Sequence, residues 1–229
     1  MGDWVEVQGP DGAFKAYVAR PSAAPKAAVV VIQEIFGVNA VMRGKADWLA
    51  REGYLAIAPD LFWRIKPGVD ITDQTDAEWK EALGYMNQLD KNASVREVQA
   101  TLAHARGMGV SKAGCLGYCM GGYLAFLAAC RTDTDASVAY HGGGIHTALG
   151  EAGNIKKPVL LHNPMQDSFI PRQALDTIRE TLKSNPLVTI YEYAEQDHAF
   201  SREGCKHYDE AAKRLADGRT IAFLNQHLA

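Results

Sequence analysis

Apolar and polar residues follow one another in blocks that predict strands and helices in turn. Residues 27–32 form a continuous β-branched-rich run, typical of a strand buried on both faces of a parallel sheet. A helix is expected over residues 39–52, because Met42, Ala46 and Leu49 recur on one face. The other predicted strands span residues 54–58, 113–117, 136–140, 158–162 and 188–193, and the other predicted helices span residues 76–88, 93–106, 121–130 and 172–183, with a last helix beginning near Lys206.

The N-terminal part of the chain is expected to form a hairpin. Two short extended pieces, residues 4–7 and 13–18, flank a Gly-Pro-Asp-Gly turn at residues 9–12. From residue 27 onward strands alternate with helices, which predicts an α/β fold with a mainly parallel central sheet and helices on both faces. With 229 residues, 47% of them hydrophobic, we expect a single domain over residues 1–229.

Composition and charge exclude several classes of function. The net charge is −3 with no basic block, which argues against a nucleic-acid partner. No apolar run approaches the roughly 20 residues that cross a membrane, and the N-terminus lacks a signal-peptide pattern. The four cysteines are sparse and no C-x-x-C motif occurs, which argues against disulfides and zinc. We therefore expect a cytoplasmic protein, a monomer by default, that needs no metal or organic cofactor.

A candidate nucleophile follows the strand predicted at residues 113–117. Cys119 lies in the motif Gly117-x-Cys119-x-Gly121, between that strand and a helix of small residues. A nucleophile elbow needs glycine at both flanking positions, since the turn is sharp and a side chain there would collide with backbone. The helix N-terminus would favour a thiolate at this position. The alternative is that Cys119 is a small buried core residue.

A candidate acid and base follow later strands in the order that the hydrolase elbow requires, which is nucleophile, acid, base. Asp167 comes after the strand at residues 158–162, and His198 comes after the last strand. His162 is the rival base, but it precedes the acid in the chain. Asp197 is the rival acid, but its adjacency to His198 makes it poorly placed to reach that ring.

The oxyanion of a tetrahedral intermediate needs two N–H donors. His141-Gly142-Gly143-Gly144 resembles the HGGG oxyanion motif of lipases, but it lies downstream of the candidate nucleophile instead of upstream. We interpret it as a glycine-rich loop that lines the site. The expected donors are the backbone N–H groups of Met120 and Ile35.

Four segments in register resemble the dienelactone hydrolase (carboxymethylenebutenolidase) family over nearly the whole chain. They are Gln-Glu-Ile-Phe-Gly-Val-Asn at 33–39, Ala-Pro-Asp-Leu at 58–61, Gly-Tyr-Cys-Met-Gly-Gly at 117–122 and His-Ala-Phe-Ser-Arg at 198–202. The resemblance implies an α/β-hydrolase fold and a Cys119–His198–Asp167 triad. It also implies that Glu34 contacts the resting cysteine and helps to form the thiolate when substrate binds. The alternative for Glu34 is a loop carboxylate paired with a basic residue.

The family resemblance also suggests how substrate is held, and here the chain departs from the family. Arg202 matches one of two family arginines that grip a substrate carboxylate. Trp79 and Leu83 stand where the second arginine and a tyrosine are expected, which indicates a more apolar pocket. Tyr140 matches a family tyrosine of the active site, so a lining role is implied.

The expected function is hydrolysis of lactones or small carboxylic esters through a thioester on Cys119. Two alternatives come from other classes of protein. One is a thiol redox sensor, which would need a resolving cysteine; the nearest, Cys115, lies within the preceding predicted strand. The other is a noncatalytic ligand-binding protein of the same fold. Ester turnover distinguishes the hydrolase from both alternatives.

Overall fold

Strands and helices alternate along residues 2–229, which a computed structural model describes. The strands are β1 (Asp3–Gly9), β2 (Gly12–Ala19), β3 (Ala28–Ile32), β4 (Leu55–Pro59), β5 (Ala113–Tyr118), β6 (Ser137–Tyr140), β7 (Val159–Pro164) and β8 (Val188–Tyr193). The α-helices are α1 (Ala40–Arg51), α2 (Asp76–Gln88), α3 (Lys91–Gly107), α4 (Met120–Arg131), α5 (Arg172–Leu182) and α6 (Glu210–His227). The alternation predicted from residue 27 onward is confirmed.

All of these strands join one sheet in the order β1-β2-β4-β3-β5-β6-β7-β8. Strands β3 to β8 are parallel, whereas β1 and β2 pair as an antiparallel hairpin and β2 runs antiparallel to β4. This is the predicted α/β fold with its N-terminal hairpin at one edge. The chain winds away from β3 in both directions, so the strand order reverses between β3 and β5. Ligands bind outside the carboxyl ends of the strands at such a reversal.

The sheet is covered on both faces because its central strands are apolar at every position. Along β3, Ala28, Val30 and Ile32 pack into the core that contains α2, α3 and α4. Val29 and Val31 point the other way and pack with α1 and α6. Successive side chains of a strand face opposite sides, so a continuous apolar run supplies both cores.

Two elements differ from the sequence predictions. The last helix begins at Glu210, not near Lys206, because Asp209 caps it by accepting a hydrogen bond from the Ala212 N–H at 2.8 Å. A 3₁₀ helix spans Ile145–Asn154, where no element was predicted. Its sequence contains two glycines and no long apolar period, so periodicity gives no helical signal there.

None of the helices described over residues 2–229 combines the length and the apolar character that crossing a membrane would need.

Candidate active site

Cys119 occupies a sharp turn between β5 and α4. Its backbone has φ of 53° and ψ of −116°, a strained conformation for a residue with a side chain. The turn brings two backbones too close for any side chain at the flanking positions. A Cβ on Gly117 would lie 1.9 Å from the Gly121 carbonyl oxygen, and a Cβ on Gly121 would lie 2.2 Å from that of Ile32. The geometry is that of a nucleophile elbow, with the sulfur at the N-terminus of α4.

His198 and Asp167 meet at the same edge of the sheet. His198 Nδ1 lies 2.8 Å from Asp167 Oδ2, and both side chains are almost completely buried. The other carboxylate oxygen, Oδ1, accepts hydrogen bonds from the N–H groups of Phe169 and Ile170, each at 2.8 Å. Because these two backbone donors fix the carboxylate, Oδ2 has a defined position against the imidazole. The proton on Nδ1 is therefore held by Asp167, and Nε2 is the ring nitrogen that can accept or donate a proton during a reaction.

The imidazole of His198 is tuned toward its charged form. Burial alone would lower the pKa of His198, but a thiolate charge at Cys119 and the hydrogen bond to Asp167 raise it to about 10. At neutral pH the geometry therefore favours an imidazolium beside the Cys119 sulfur. Such a cation stabilises a thiolate, the reactive form of cysteine.

Two backbone N–H groups are available close to the Cys119 sulfur. Met120 is the first residue of α4, where an N–H has no intrahelical acceptor, and Ile35 follows the end of β3. Neither N–H donates a hydrogen bond to another group among residues 2–229. Both residues line the same cavity as Cys119 and His198.

His141 begins the glycine-rich loop that is expected to line the site, but its contacts with Cys119 and His198 are not evident from the sequence. Its Nδ1 accepts a hydrogen bond from the Cys119 N–H at 3.1 Å, and its ring centroid lies 4.5 Å from that of His198. Burial lowers the pKa of His141 well below its ordinary value, so the ring is neutral. A neutral ring here supports the elbow and packs against the base without adding charge. The available signal was its place directly after β6, at the carboxyl edge of the sheet.

Tyr140 does not line the site, which corrects the role expected from the family resemblance. It is fully buried, and its hydroxyl is hydrogen-bonded to Asp217 at 3.0 Å and Thr220 at 2.7 Å, both on α6. The rival base, His162, lies in the same layer. Its ring nitrogens contact the Tyr193 hydroxyl at 2.7 Å and Thr220 at 2.9 Å, and burial lowers its pKa to about 3. Both side chains hold α6 to the sheet.

Glu34 is paired with Arg202. Glu34 Oε2 lies 3.0 Å from Arg202 Nη1, and both side chains are buried. The second oxygen, Oε1, is buried without a hydrogen-bond partner in the part of the chain that the structure describes. The structure places no hydrogen bond between Glu34 and Cys119. The observed contact of Glu34 is therefore that of the alternative interpretation, a loop carboxylate paired with a basic residue.

A cavity of about 490 Å³ lies in front of Cys119 and His198. Its wall is largely apolar, and the predicted pocket residues Trp79 and Leu83 are part of it. The Trp79 indole stacks on Phe169 with ring centroids 6.0 Å apart. The other lining residues are Ile35, Phe36, Met86, Asn87, Leu89, Lys91, Met120, Tyr123, Gly143 and Arg202. The cavity has room for a small organic molecule beside the sulfur.

Two of the other thiols lie in the core, and the rival acid Asp197 is bonded to backbone. Cys115 and Cys130 are buried, and burial raises their pKa values to about 12 and about 11. Asp197 accepts hydrogen bonds from the N–H groups of Ser168 at 2.7 Å and His198 at 2.6 Å, so it caps the loop and does not orient the imidazole. Across residues 2–229 no three His, Cys, Asp or Glu side chains are grouped as metal ligands.

The chain is similar to known proteins over nearly its whole length. The sequence pattern of the dienelactone hydrolase family matches residues 14–228. A relative from Azospirillum brasilense is 45% identical over 224 residues, which cover 96% of each chain. The carboxymethylenebutenolidase of Pseudomonas putida is 37% identical over 227 residues, covering 98% of this chain and 96% of that one. A crystal structure from Klebsiella pneumoniae is 27% identical and superposes with a TM-score of 0.87 over 99% of both chains.

Proposed function

Because the chain belongs to the dienelactone hydrolase family, we propose that it hydrolyses lactones and small carboxylic esters through a thioester on Cys119. One observation carries the proposal. Cys119, the Asp167-bound His198 and two backbone N–H groups without an acceptor lie at one cavity. Nucleophile, base, orienting acid and oxyanion donors are the parts that acyl transfer needs.

In the acylation half, the Cys119 thiolate attacks the carbonyl carbon of the ester. The carbonyl oxygen becomes an oxyanion, which the N–H groups of Met120 and Ile35 stabilise. Collapse of the tetrahedral intermediate breaks the carbon–oxygen bond. His198 Nε2 gives its proton to the departing alkoxide or enolate, and the acyl group remains on sulfur as a thioester. The thiolate charge helps to raise the pKa of His198, so the loss of that charge when sulfur attacks favours release of the proton to the leaving group.

In the deacylation half, neutral His198 removes a proton from water. The resulting hydroxide attacks the thioester carbon, and the same two N–H groups again hold the oxyanion. Collapse breaks the carbon–sulfur bond, which releases the carboxylic acid and restores the thiolate beside an imidazolium. An enolate or aryloxide leaves more easily than an amide nitrogen when the competitor is a thiolate. Activated esters and lactones are therefore the proposed substrates, and peptides are not.

The family role of Glu34 is kept as part of the proposal. Its Oε2 is held by Arg202, so only Oε1 remains for an approach to the thiol. A substrate that disturbs the Glu34–Arg202 pair would change the position of that oxygen. The four unpaired cysteines fit the cytoplasmic location proposed for the protein.

The proposal is tested by alkylation during an activity assay. The protein is expected to hydrolyse para-nitrophenyl acetate and the lactone dihydrocoumarin, and limiting iodoacetamide should remove both activities in parallel with labelling of Cys119. Peptide mass spectrometry identifies the labelled thiol. Cys115 and Cys130 serve as internal controls, because burial and their raised pKa values make them slow to react. Full labelling of Cys119 with unchanged hydrolysis would contradict the proposal.

A further inference from the structure

Two of the three nitrogens of the Arg202 guanidinium contact side chains of the protein. Nη1 donates to Glu34 Oε2 at 3.0 Å. Nη2 lies 3.0 Å from Asp73 Oδ2 and also donates to Cys205 Sγ at 3.6 Å. The guanidinium carbon lies 5.0 Å from the centre of the Phe36 ring. One cation thus faces two carboxylates in a buried setting.

Asp73 holds the nitrogen that a substrate carboxylate would need. A carboxylate binds a guanidinium in a bidentate manner either end-on, through Nη1 and Nη2, or side-on, through Nε and Nη2. Both arrangements use Nη2, which donates to Cys205 Sγ and lies 3.0 Å from the Asp73 carboxylate as an ion pair. The remaining nitrogen, Nε, is buried and has no partner in the described part of the chain. A lone donor gives no bidentate grip.

Trp79 strengthens this arrangement and supplies no second cation. Its indole N–H donates to the Asp73 carbonyl oxygen at 3.0 Å, and its ring forms part of the apolar wall with Phe169. A second cavity of about 510 Å³ adjoins the first and is lined by Asp73 and Arg202. The lysines that line the two cavities are Lys91 and Lys206. Both are exposed, so solvent and salt weaken their attraction for a bound anion. The formal charges of the buried Glu34 and Arg202 and of the partly buried Asp73 sum to one negative charge.

We infer that Asp73 is a specificity-determining residue, which, by occupying Nη2 of Arg202, selects esters and lactones without a carboxylate on the part that enters the cavity. The inference rests on the proposed esterase function and names its substrate class. A negatively charged substrate must displace Asp73 from Arg202 or lie unpaired near Asp73 and Glu34. A neutral substrate meets the Trp79–Phe169 wall and leaves the Arg202–Asp73 contact intact.

The test compares two esters that differ in one charge, para-nitrophenyl methyl adipate and para-nitrophenyl hydrogen adipate. The wild-type enzyme is expected to show a kcat/KM for the neutral ester at least about tenfold above that for the acid, because the acid meets like charge. Equal hydrolysis of the two esters, or preference for the acid, overturns the inference. Activity of Cys119→Ala on the neutral ester would instead overturn the proposed function.

Substitution of Asp73 provides the second arm. Asp73→Asn and Asp73→Ala should lower the neutral-to-acid ratio at least about fivefold, mainly by raising kcat/KM for the acid, since Nη2 loses its anionic partner. Asp76→Asn is the matched control, because it removes a carboxylate three residues away on α2 that has no role at the cavity. It should keep the wild-type ratio. A wild-type ratio in folded Asp73→Ala overturns the inference.

Discussion

Cys119→Ala is expected to reduce kcat/KM for aryl-ester hydrolysis by at least about 10⁴-fold, because it removes the proposed nucleophile from the elbow. The variant should keep its fold. Cys119 is only partly buried, and alanine accepts the same backbone turn with its positive φ as readily as cysteine does. Steady-state kinetics with para-nitrophenyl acetate measure the loss, and circular dichroism and thermal unfolding confirm the fold.

Cys130→Ala is the matched control for this loss. It removes a thiol at the far end of the same helix, α4, and should leave hydrolysis near the wild-type rate. Cys119→Ser should retain only weak activity, because the imidazolium of His198 stabilises a thiolate and not an alkoxide. Turnover by Cys119→Ala at the wild-type rate would show that another residue is the nucleophile.

Asp167→Asn is expected to lower kcat/KM by about 10²- to 10⁴-fold, because it changes the tautomer of the His198 imidazole. The N–H groups of Phe169 and Ile170 both donate to Oδ1, so the side-chain oxygen of asparagine must stay at that position. The amide NH₂ then faces His198 Nδ1 and donates to it. The ring proton moves to Nε2, and the neutral ring can no longer accept a proton there.

Asp197→Asn separates this tautomer effect from a general loss of charge. Asp197 is adjacent to His198 in the chain, but its carboxylate accepts hydrogen bonds from the backbone N–H groups of Ser168 and His198. The side-chain oxygen of asparagine can accept the same two hydrogen bonds. We expect a loss of less than about tenfold in kcat/KM, as for a substitution that keeps its hydrogen bonds. Losses of equal size in Asp167→Asn and Asp197→Asn would contradict the assignment of Asp167 as the orienting acid.

Sequence periodicity was sufficient to predict the fold because the central strands are apolar at every position. The apolar run that ends at Ile32 is buried from water only if helices pack on both faces of the sheet. The candidate nucleophile was equally visible, since its flanking glycines are demanded by backbone contacts under 2.5 Å. Cys119, Asp167 and His198 could be found because each follows a strand of a parallel sheet.

The contacts around Arg202 could not be predicted from the sequence. Asp73 lies in an irregular segment with no periodicity, and its approach to Arg202 depends on how that segment folds across 129 residues of chain. Tyr140 was misplaced for a similar reason. It ends β6 near the active site in sequence, but its ring faces α6 on the other side of the sheet. The next residue, His141, lies outside β6 with a positive φ of 38°, and its ring packs against His198.

The central claim, that Cys119 carries the acyl group during turnover, is tested most directly by trapping that intermediate. Wild-type protein is mixed with excess para-nitrophenyl acetate, quenched in acid within the first turnover, digested and analysed by mass spectrometry. We predict an acetyl group on the peptide that contains Cys119, sensitive to hydroxylamine as a thioester is, and absent from the Cys119→Ala variant. An acetyl group on a different residue, or turnover that proceeds with no acyl-enzyme in rapidly quenched samples, would contradict the account.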